Sequence, residues 1–382
     1  MNFDWTDQQL AFRDRMHSFA SDHLTDDVID RDERSEFAET LWQRAAEFGI
    51  QGMFIPTEFG GTASADIQTA MLAMEALGYG CADGGLLLAL NAQMWAVQLP
   101  ILHFGSDFQK QHFLPNLCGG RWKGAHGITE PSTGSDVFNL KTTAEKVDGG
   151  YVLNGTKCMV TLAPICDVAL VVASTNPAKG KWGVSTFLVE SGFAGFSRGE
   201  NHLKMGLRTV PIGELRLEDC FVPDSHRLGK EGGGFATFNY SLEFERCCIL
   251  ASQVGTMQRQ LETCIRYAKE RHQFGQPIGK FQSVSNRIAD MKVRLETSKL
   301  MLYKVAWLKS QGKSAMMDAA ILKLYLSECF AQSSEDAVRI HGGRGYLTEN
   351  GVDRDWRDAI GGVLYAGTSD IQRNIVAGLL GV

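Results

Sequence analysis

Apolar positions recur at helical spacing through residues 1–122, break into short branched runs through 123–228, and return to helical spacing through 229–382. In the first stretch, Thr6-Asp-Gln-Gln9 has the spacing of a capping box ahead of a helix. A second helix is predicted over Phe37–Phe48, and helical character resumes over Ile67–Leu77 and Leu86–Leu99. Glycine-containing breaks at Gly49–Gly52 and Pro56–Gly61 separate them. In the middle stretch, Val147–Gly155 reads as a strand bracketed by Asp-Gly and Asn-Gly turns. Val168–Ala173, Val184–Val189 and Glu214–Leu217 read as further strands. In the last stretch, Val254, Met257, Leu261, Cys264 and Ala268 make one apolar stripe; Ile288, Met291, Leu295, Ser298, Leu302 and Val305 make another. The expected fold is α+β and multidomain: an N-terminal helical domain (1–122), a middle antiparallel β domain (123–228) and a C-terminal helical bundle (229–382).

Composition narrows the function classes. The chain has 382 residues, 21% of them charged, and a net charge of -6, with no Lys/Arg block, so a nucleic-acid surface is not expected. Nine cysteines are scattered without metal-ligand spacing, which predicts reduced thiols in a cytoplasmic protein and no metal site. The start, Met1 to Asp7, is acidic and polar and does not read as a signal peptide. The uncharged run Gly84–Gly105 is long enough to cross a membrane, but it holds Asn91, Gln93, Gln98, Pro100 and His103. A buried helix, and no membrane association, is the expectation.

Candidate chemistry concentrates in Tyr240–Leu250, where Glu243, Glu245 and Arg246 precede a long apolar-periodic helix. A carboxylate in a dry cleft can become a usable base. Residues 243 and 245 lie about 200° apart around a helix, so they cannot share a face. The apolar stripe, extended upstream through Leu250 and Cys247, meets Glu243, and periodicity therefore favours Glu243 as the buried carboxylate. Four further segments stand out: Gly127–Asp136, Arg271–Gln282, Ile340–Tyr346 and Tyr365–Arg373. Each alone reads as a loop with helix caps. The first is rich in Gly, Ser and Thr, suited to close approach by a phosphate or flavin. No GxGxxG follows a strand, which argues against a Rossmann site.

Taken together and in this order, the four segments resemble those of the acyl-CoA dehydrogenases across essentially the whole chain. The resemblance implies an N-terminal helical domain, a middle β domain and a C-terminal four-helix bundle. It also implies bound FAD, a homotetramer, and oxidation of an acyl thioester to its α,β-unsaturated form. By the same resemblance Thr129 and Ser135 lie near the flavin, Ser135 also lies by the substrate thioester, and Thr161 offers a hydroxyl near flavin N5, where the family often has Trp at the Met159 position. Arg271, Phe274 and Gln282 correspond to residues that reach the FAD of a neighbouring subunit. Gly343 corresponds to the turn at the adenosine end, with Arg339 in place of a common Gln. Thr368 and Asp370 correspond to the last cofactor contacts. Many members carry the base directly before Gly-Thr; here that position is Ala366, whose backbone N–H would still serve the thioester carbonyl. A minority, including isovaleryl-CoA dehydrogenase, carry it on the first bundle helix directly before an Arg, which selects Glu245-Arg246. Ala163–Asp167, Phe281–Met291 and Leu300–Tyr303 further resemble dehydrogenases of prolyl groups on peptidyl carrier proteins. Met205–Thr209 resembles ordinary acyl-CoA members. The implied substrate is an aminoacyl or hydroxyacyl thioester on a carrier protein, with a short or branched acyl-CoA as the alternative and a flavin monooxygenase or oxidase as the alternative of another class.

Overall fold

The computed structural model describes residues 4–382; the first three residues of the polar N-terminal segment lie outside that range. The first helix, α1 (Asp7–His23), opens on the capping box: the Thr6 side chain accepts from Gln9 N–H and the Gln9 side chain accepts from Thr6 N–H. Then follow α2 (Val28–Arg34), α3 (Glu39–Phe48) and α4 (Ile67–Gly80). A continuous run of α5 (Gly84–Asn91), a π-helical stretch (Ala92–Gln98) and α6 (Leu99–Phe104) precedes α7 (Asp107–Cys118). The uncharged run is thus a core helix: Leu86, Leu87, Leu90, Met94 and Trp95 are buried. Asn91 is satisfied inside, donating to Leu87 O and accepting from Trp95 Nε1.

The middle region holds β1 (Gly124–Gly127), β2 (Thr143–Val147), β3 (Gly150–Thr161), β4 (Val168–Ser174), β5 (Val184–Glu190), β6 (Phe196–Arg198), β7 (Ile212–Pro223) and β8 (Arg227–Leu228). They form one sheet in the order β6-β7-β3-β2-β4-β5-β8, with β1 beside β4. Pairing is antiparallel except at β1–β4 and at the single β2–β4 contact. Every residue of β4 is buried because both of its faces are covered. Ala169, Val171 and Ala173 face the core of the sheet, while Val168 and Leu170 pack with Ile101, Phe113 and Leu117 of the helices. That is why its sequence is a continuous apolar run and not an alternating one. The Asn154-Gly155 pair is not the end of a strand. The register with β7 shifts between Leu153 and Gly155, and β3 continues to Thr161. Gly155 sits at φ 149°, where a Cβ would press on Thr142, so the pair builds a bulge.

The last region is α8 (Gly234–Glu270), a short hairpin of β9 (His272–Gln273) and β10 (Gln276–Pro277), then α9 (Gln282–Ser310), α10 (Met316–His341), α11 (Gly343–Tyr346), α12 (Val352–Leu364) and α13 (Ser369–Leu380). Val254, Met257, Leu261, Cys264 and Ala268 are buried on α8, and Met291, Leu295, Ser298, Leu302 and Val305 on α9. The helical layers meet where α4 crosses α8. A Cβ on Gly78 would stand 1.8 Å from Ser252 O, and one on Gly255 1.9 Å from Glu75 O, so only glycine permits the approach. All nine cysteines are buried and free.

Candidate active site

The first turns of α8 are enclosed on more than one side. Glu245, 8% exposed, points toward the sheet. Ser241, one turn earlier, donates from Oγ to Glu245 Oε1 at 2.9 Å. His126, on β1, brings Nδ1 to 3.6 Å from the same oxygen. No described residue hydrogen-bonds to Oε2. Arg246 is buried next to it and its side chain makes no hydrogen bond to a described residue; its Nε is fully enclosed without a partner. Burial pushes the Arg246 guanidinium down from its ordinary value, and Glu245 opposes that shift. On α10, Lys323 is likewise fully buried with an unpartnered Nζ. Burial pushes its ammonium down to about 8, and the charge on Arg246 adds to the effect.

Glu243 turns the other way and pairs with Lys309 of α9. Lys309 also lies 4.5 Å from the centre of the Phe244 ring. The stripe argument that favoured Glu243 therefore fails: the helix start is covered on two faces, and the carboxylate continuing the bundle stripe is the one neutralised by a lysine.

Tyr365 approaches α8 from the C-terminal side, its OH 2.6 Å from Gln253 Nε2. A cavity lined by Leu87, Leu88, Ile249, Ser252, Gln253 and Tyr365 lies one to two turns below Glu245. Next to Tyr365, Ala366 adopts φ 52° and Gly367 φ 83°. Gln372 Nε2 donates to both of their carbonyl oxygens. The Ala366 N–H donates to none of the described residues. Thr368 caps α13 by accepting from Ile371 N–H. Asp370 is exposed and pairs with Arg373.

The segment Gly127–Asp136 leaves β1 one residue after His126. Thr129 is half-buried, its carbonyl accepting from Cys158 N–H, while Ser135 is exposed. Glu130 ties the segment to the sheet, accepting from Lys157 Nζ at 2.7 Å, Thr142 Oγ1 at 2.6 Å, and Thr142 N–H. Burial would raise the Glu130 carboxyl, but the hydrogen bonds from Lys157 and Thr142 outweigh it and hold it below its ordinary value. Thr161, half-buried, lies between Met159 (φ 54°) and Leu162 (φ 65°). Positive φ at a side-chain-bearing residue is held against strain, and it occurs here at Met159, Phe274 and Ala366, three positions singled out in the sequence.

Arg271, Phe274 and Gln282 do not join this group. By the helical rise, Arg271 lies roughly 39 Å along α8 from Glu245. Phe274 is 93% exposed, and Arg271, Gln282 and Gly343 are exposed as well. Ser241 and His126 were not among the candidates read from the sequence. Ser241 stands four residues before Glu245, a spacing that places it on the same helix face; His126 carries no local signal.

The residues present fit a flavin dinucleotide. The glycine- and hydroxyl-bearing loop, the Ala366-Gly367 turn, and the unpartnered buried Ser369 Oγ, Gln372 Oε1 and Arg246 Nε are polar groups left over by the protein itself. Comparison with known proteins agrees. The models of the acyl-CoA dehydrogenase N-terminal, middle and C-terminal domains match residues 6–121, 125–220 and 232–380. The chain belongs to the acyl-CoA dehydrogenase family. An L-prolyl-[peptidyl-carrier protein] dehydrogenase of Serratia sp. is 41% identical over 100% of this chain and 99% of the relative. The short-chain specific acyl-CoA dehydrogenase of Megasphaera elsdenii is 36% identical over 100% of both. Among solved structures, the prolyl acyl carrier protein oxidase AnaB superposes with a TM-score of 0.97 at 46% identity, covering 99% of this chain and 100% of AnaB. PigA with FAD and proline does so with a TM-score of 0.97 at 41% identity, covering 100% of this chain and 99% of PigA. Family membership makes this chain an FAD-dependent dehydrogenase of an acyl thioester.

Proposed function

We propose that this dehydrogenase oxidises an aminoacyl thioester of the prolyl type, tethered to a carrier protein in natural-product biosynthesis, with Glu245 as the base. The observation that carries the reading is one buried carboxylate, held on one oxygen and open on the other, while the alternative family position holds Ala366. The carrier-linked substrate is supported by likeness to the Serratia relative and to AnaB. A short-chain acyl-CoA is the second reading, favoured by likeness to the Megasphaera enzyme.

The chain's own groups divide the work. A thioester carbonyl acidifies its α-carbon, and the N–H of Ala366, which donates to none of the described residues, would donate to the carbonyl oxygen as charge develops there. Thr129, Ser135, Thr161, Thr368 and Asp370 would hold the cofactor from this chain. Arg271, Phe274, Gln282 and Gly343 would serve the site of a second copy in a homotetramer. Bound FAD would supply the acceptor for the hydride that leaves the β-carbon. Glu245 takes the α-proton as that C–H bond breaks, and the electron pair left behind becomes the new double bond. The enclosure that leaves Arg246 and Lys323 without partners also keeps water from the reacting carbon. The free, buried thiols suit a reducing cytoplasm.

The test is anaerobic flavin bleaching with prolyl, other aminoacyl and acyl thioesters, each on holo carrier protein and on CoA. Bleaching by the prolyl carrier thioester is expected; bleaching by CoA esters alone would overturn the carrier reading. Repeating the assay in air with an oxygen electrode asks whether reoxidation uses oxygen, as the description of AnaB as an oxidase suggests.

A further inference from the structure

The polar contacts around Glu245 are one-sided. Ser241 Oγ at 2.9 Å and His126 Nδ1 at 3.6 Å both converge on Oε1. They come from different parts of the fold, one from the same helix and one from a strand of the sheet. Ser241 is fully buried, and the His126 and Glu245 side chains are each 10% exposed, so little water competes for that oxygen. We infer that Ser241 and His126 are positioning residues that fix the rotamer of Glu245, leaving Oε2 as the atom that takes the α-proton. This rests on Glu245 being the base.

Ser241 has a further property. Its hydroxyl carries one proton but stands near two acceptors, Glu245 Oε1 and the Phe238 carbonyl at 3.2 Å. The ionised carboxylate is the stronger acceptor and the shorter contact, so before reaction the proton points to Glu245. Once Oε2 is protonated the attraction weakens, and the hydroxyl is free to rotate toward Phe238. Ser241 thus favours the charged base and loosens after proton transfer. The 3.6 Å approach of His126 is too long for a hydrogen bond but close enough to tighten when the site fills. The other titratable or charged groups around the carboxylate are Arg246 and Cys248 of its own helix, with Lys323 of α10 acting on Arg246.

The experiment is stopped-flow anaerobic flavin reduction against pH, with prolyl-loaded holo carrier protein. The variants are Ser241→Ala, Ser241→Thr, His126→Leu and His126→Asn, and bound-FAD absorbance reports folding. Removing a donor to an ionised carboxylate disfavours its charged form, so Ser241→Ala should move the acid limb of the rate profile to higher pH. It should also lower the limiting rate roughly tenfold, with substrate Kd within about twofold of the parent. His126→Leu should act in the same direction. Ser241→Thr keeps the hydroxyl, and His126→Asn keeps a donor near the Nδ1 position, so each should restore the parent limb. A limb and rate unchanged in both Ser241→Ala and His126→Leu would overturn the inference. A limb unchanged in one alone would strike that residue from it. Glu245→Gln, run alongside, separates the two claims: bleaching at the parent rate there would overturn Glu245 as base, whatever the other variants do.

Discussion

The two ends of α8 are built for opposite conditions. At its start Glu245 and Arg246 are each 8% exposed, enclosed by the sheet and by α10. Past its far end, Arg271 and Gln282 are exposed and Phe274 is 93% exposed on a strained backbone at φ 51°. One end is finished within a single chain. The other holds a cation and an aromatic ring in a fixed conformation with no intrachain pocket for them. Strain of that kind persists where a surface is shaped for something other than its own core. A single helix of 37 residues therefore joins an enclosed end, where we propose the base, to an exposed end, which we propose serves another copy.

The sharpest break of this comparison is at the finished end. Glu245→Gln keeps size and a partner for Ser241 but cannot take a proton. It should retain yellow, FAD-bound protein and lose flavin reduction by about a thousandfold or more. Glu243→Gln should keep a reduction rate within about threefold of the parent, because Glu243 is engaged with Lys309. Its cost should appear in melting temperature. Equal loss in both variants would remove the distinction drawn between the two carboxylates.

Next comes the support of the loop that we propose holds the cofactor. The Lys157–Glu130 pair is buried on both sides, at 0% and 2% side-chain exposure. Removing one partner by Lys157→Met leaves an uncompensated buried carboxylate and should cost about 3–5 kcal/mol, seen as a lower denaturant midpoint and weaker FAD retention. The double variant Lys157→Met/Glu130→Leu should recover most of that loss. The sign of the pH effect follows from the lowered Glu130 carboxyl. Its contribution is present above the ordinary carboxylate range and lost as pH falls through the lower folded value, so the parent should shed stability on acidification and the double variant less.

At the open end, Phe274→Ala should leave the fold of a single copy unchanged, since the ring is 93% exposed. Cofactor retention should instead become dependent on protein concentration, with half-loss of FAD on dilution at concentrations about tenfold or more above the parent. Sedimentation and bound-flavin absorbance across a dilution series would check this. FAD retention identical to the parent at every dilution would mean that the exposed ring serves no second copy.

These contrasts were unevenly legible in the sequence. Helix, strand, helix was readable because the apolar period changes from 3.6 to clustered runs and back, and because Thr6 and Gln9 form the capping box their spacing predicted. The bulge at Gly155 was not, since an Asn-Gly pair signals a turn and a bulge alike until the partner strand is known. Nor was the choice between Glu243 and Glu245. Periodicity reports one buried face, and the start of α8 has two, so the stripe pointed at the carboxylate that Lys309 neutralises. Resemblance to relatives with a helix-borne base pointed to the other. His126 was illegible because its contact with Glu245 joins residues far apart in sequence, with no spacing rule to connect them.

The smallest expected effect concerns the Ala366-Gly367 turn. Ala366 holds φ 52°, a conformation that costs an alanine about 1 kcal/mol and a glycine nearly nothing. Ala366→Gly relieves that strain but also frees the unfolded chain, an opposing term of similar size. The net change should stay within about 1 kcal/mol. If the backbone N–H is what serves the thioester carbonyl, the flavin-reduction rate should also stay within about threefold, because glycine keeps both the N–H and its direction. A large loss of rate with unchanged melting temperature would instead assign a part to the Ala366 methyl, and the finished end of α8 would then depend on a side chain that this reading treats as inert.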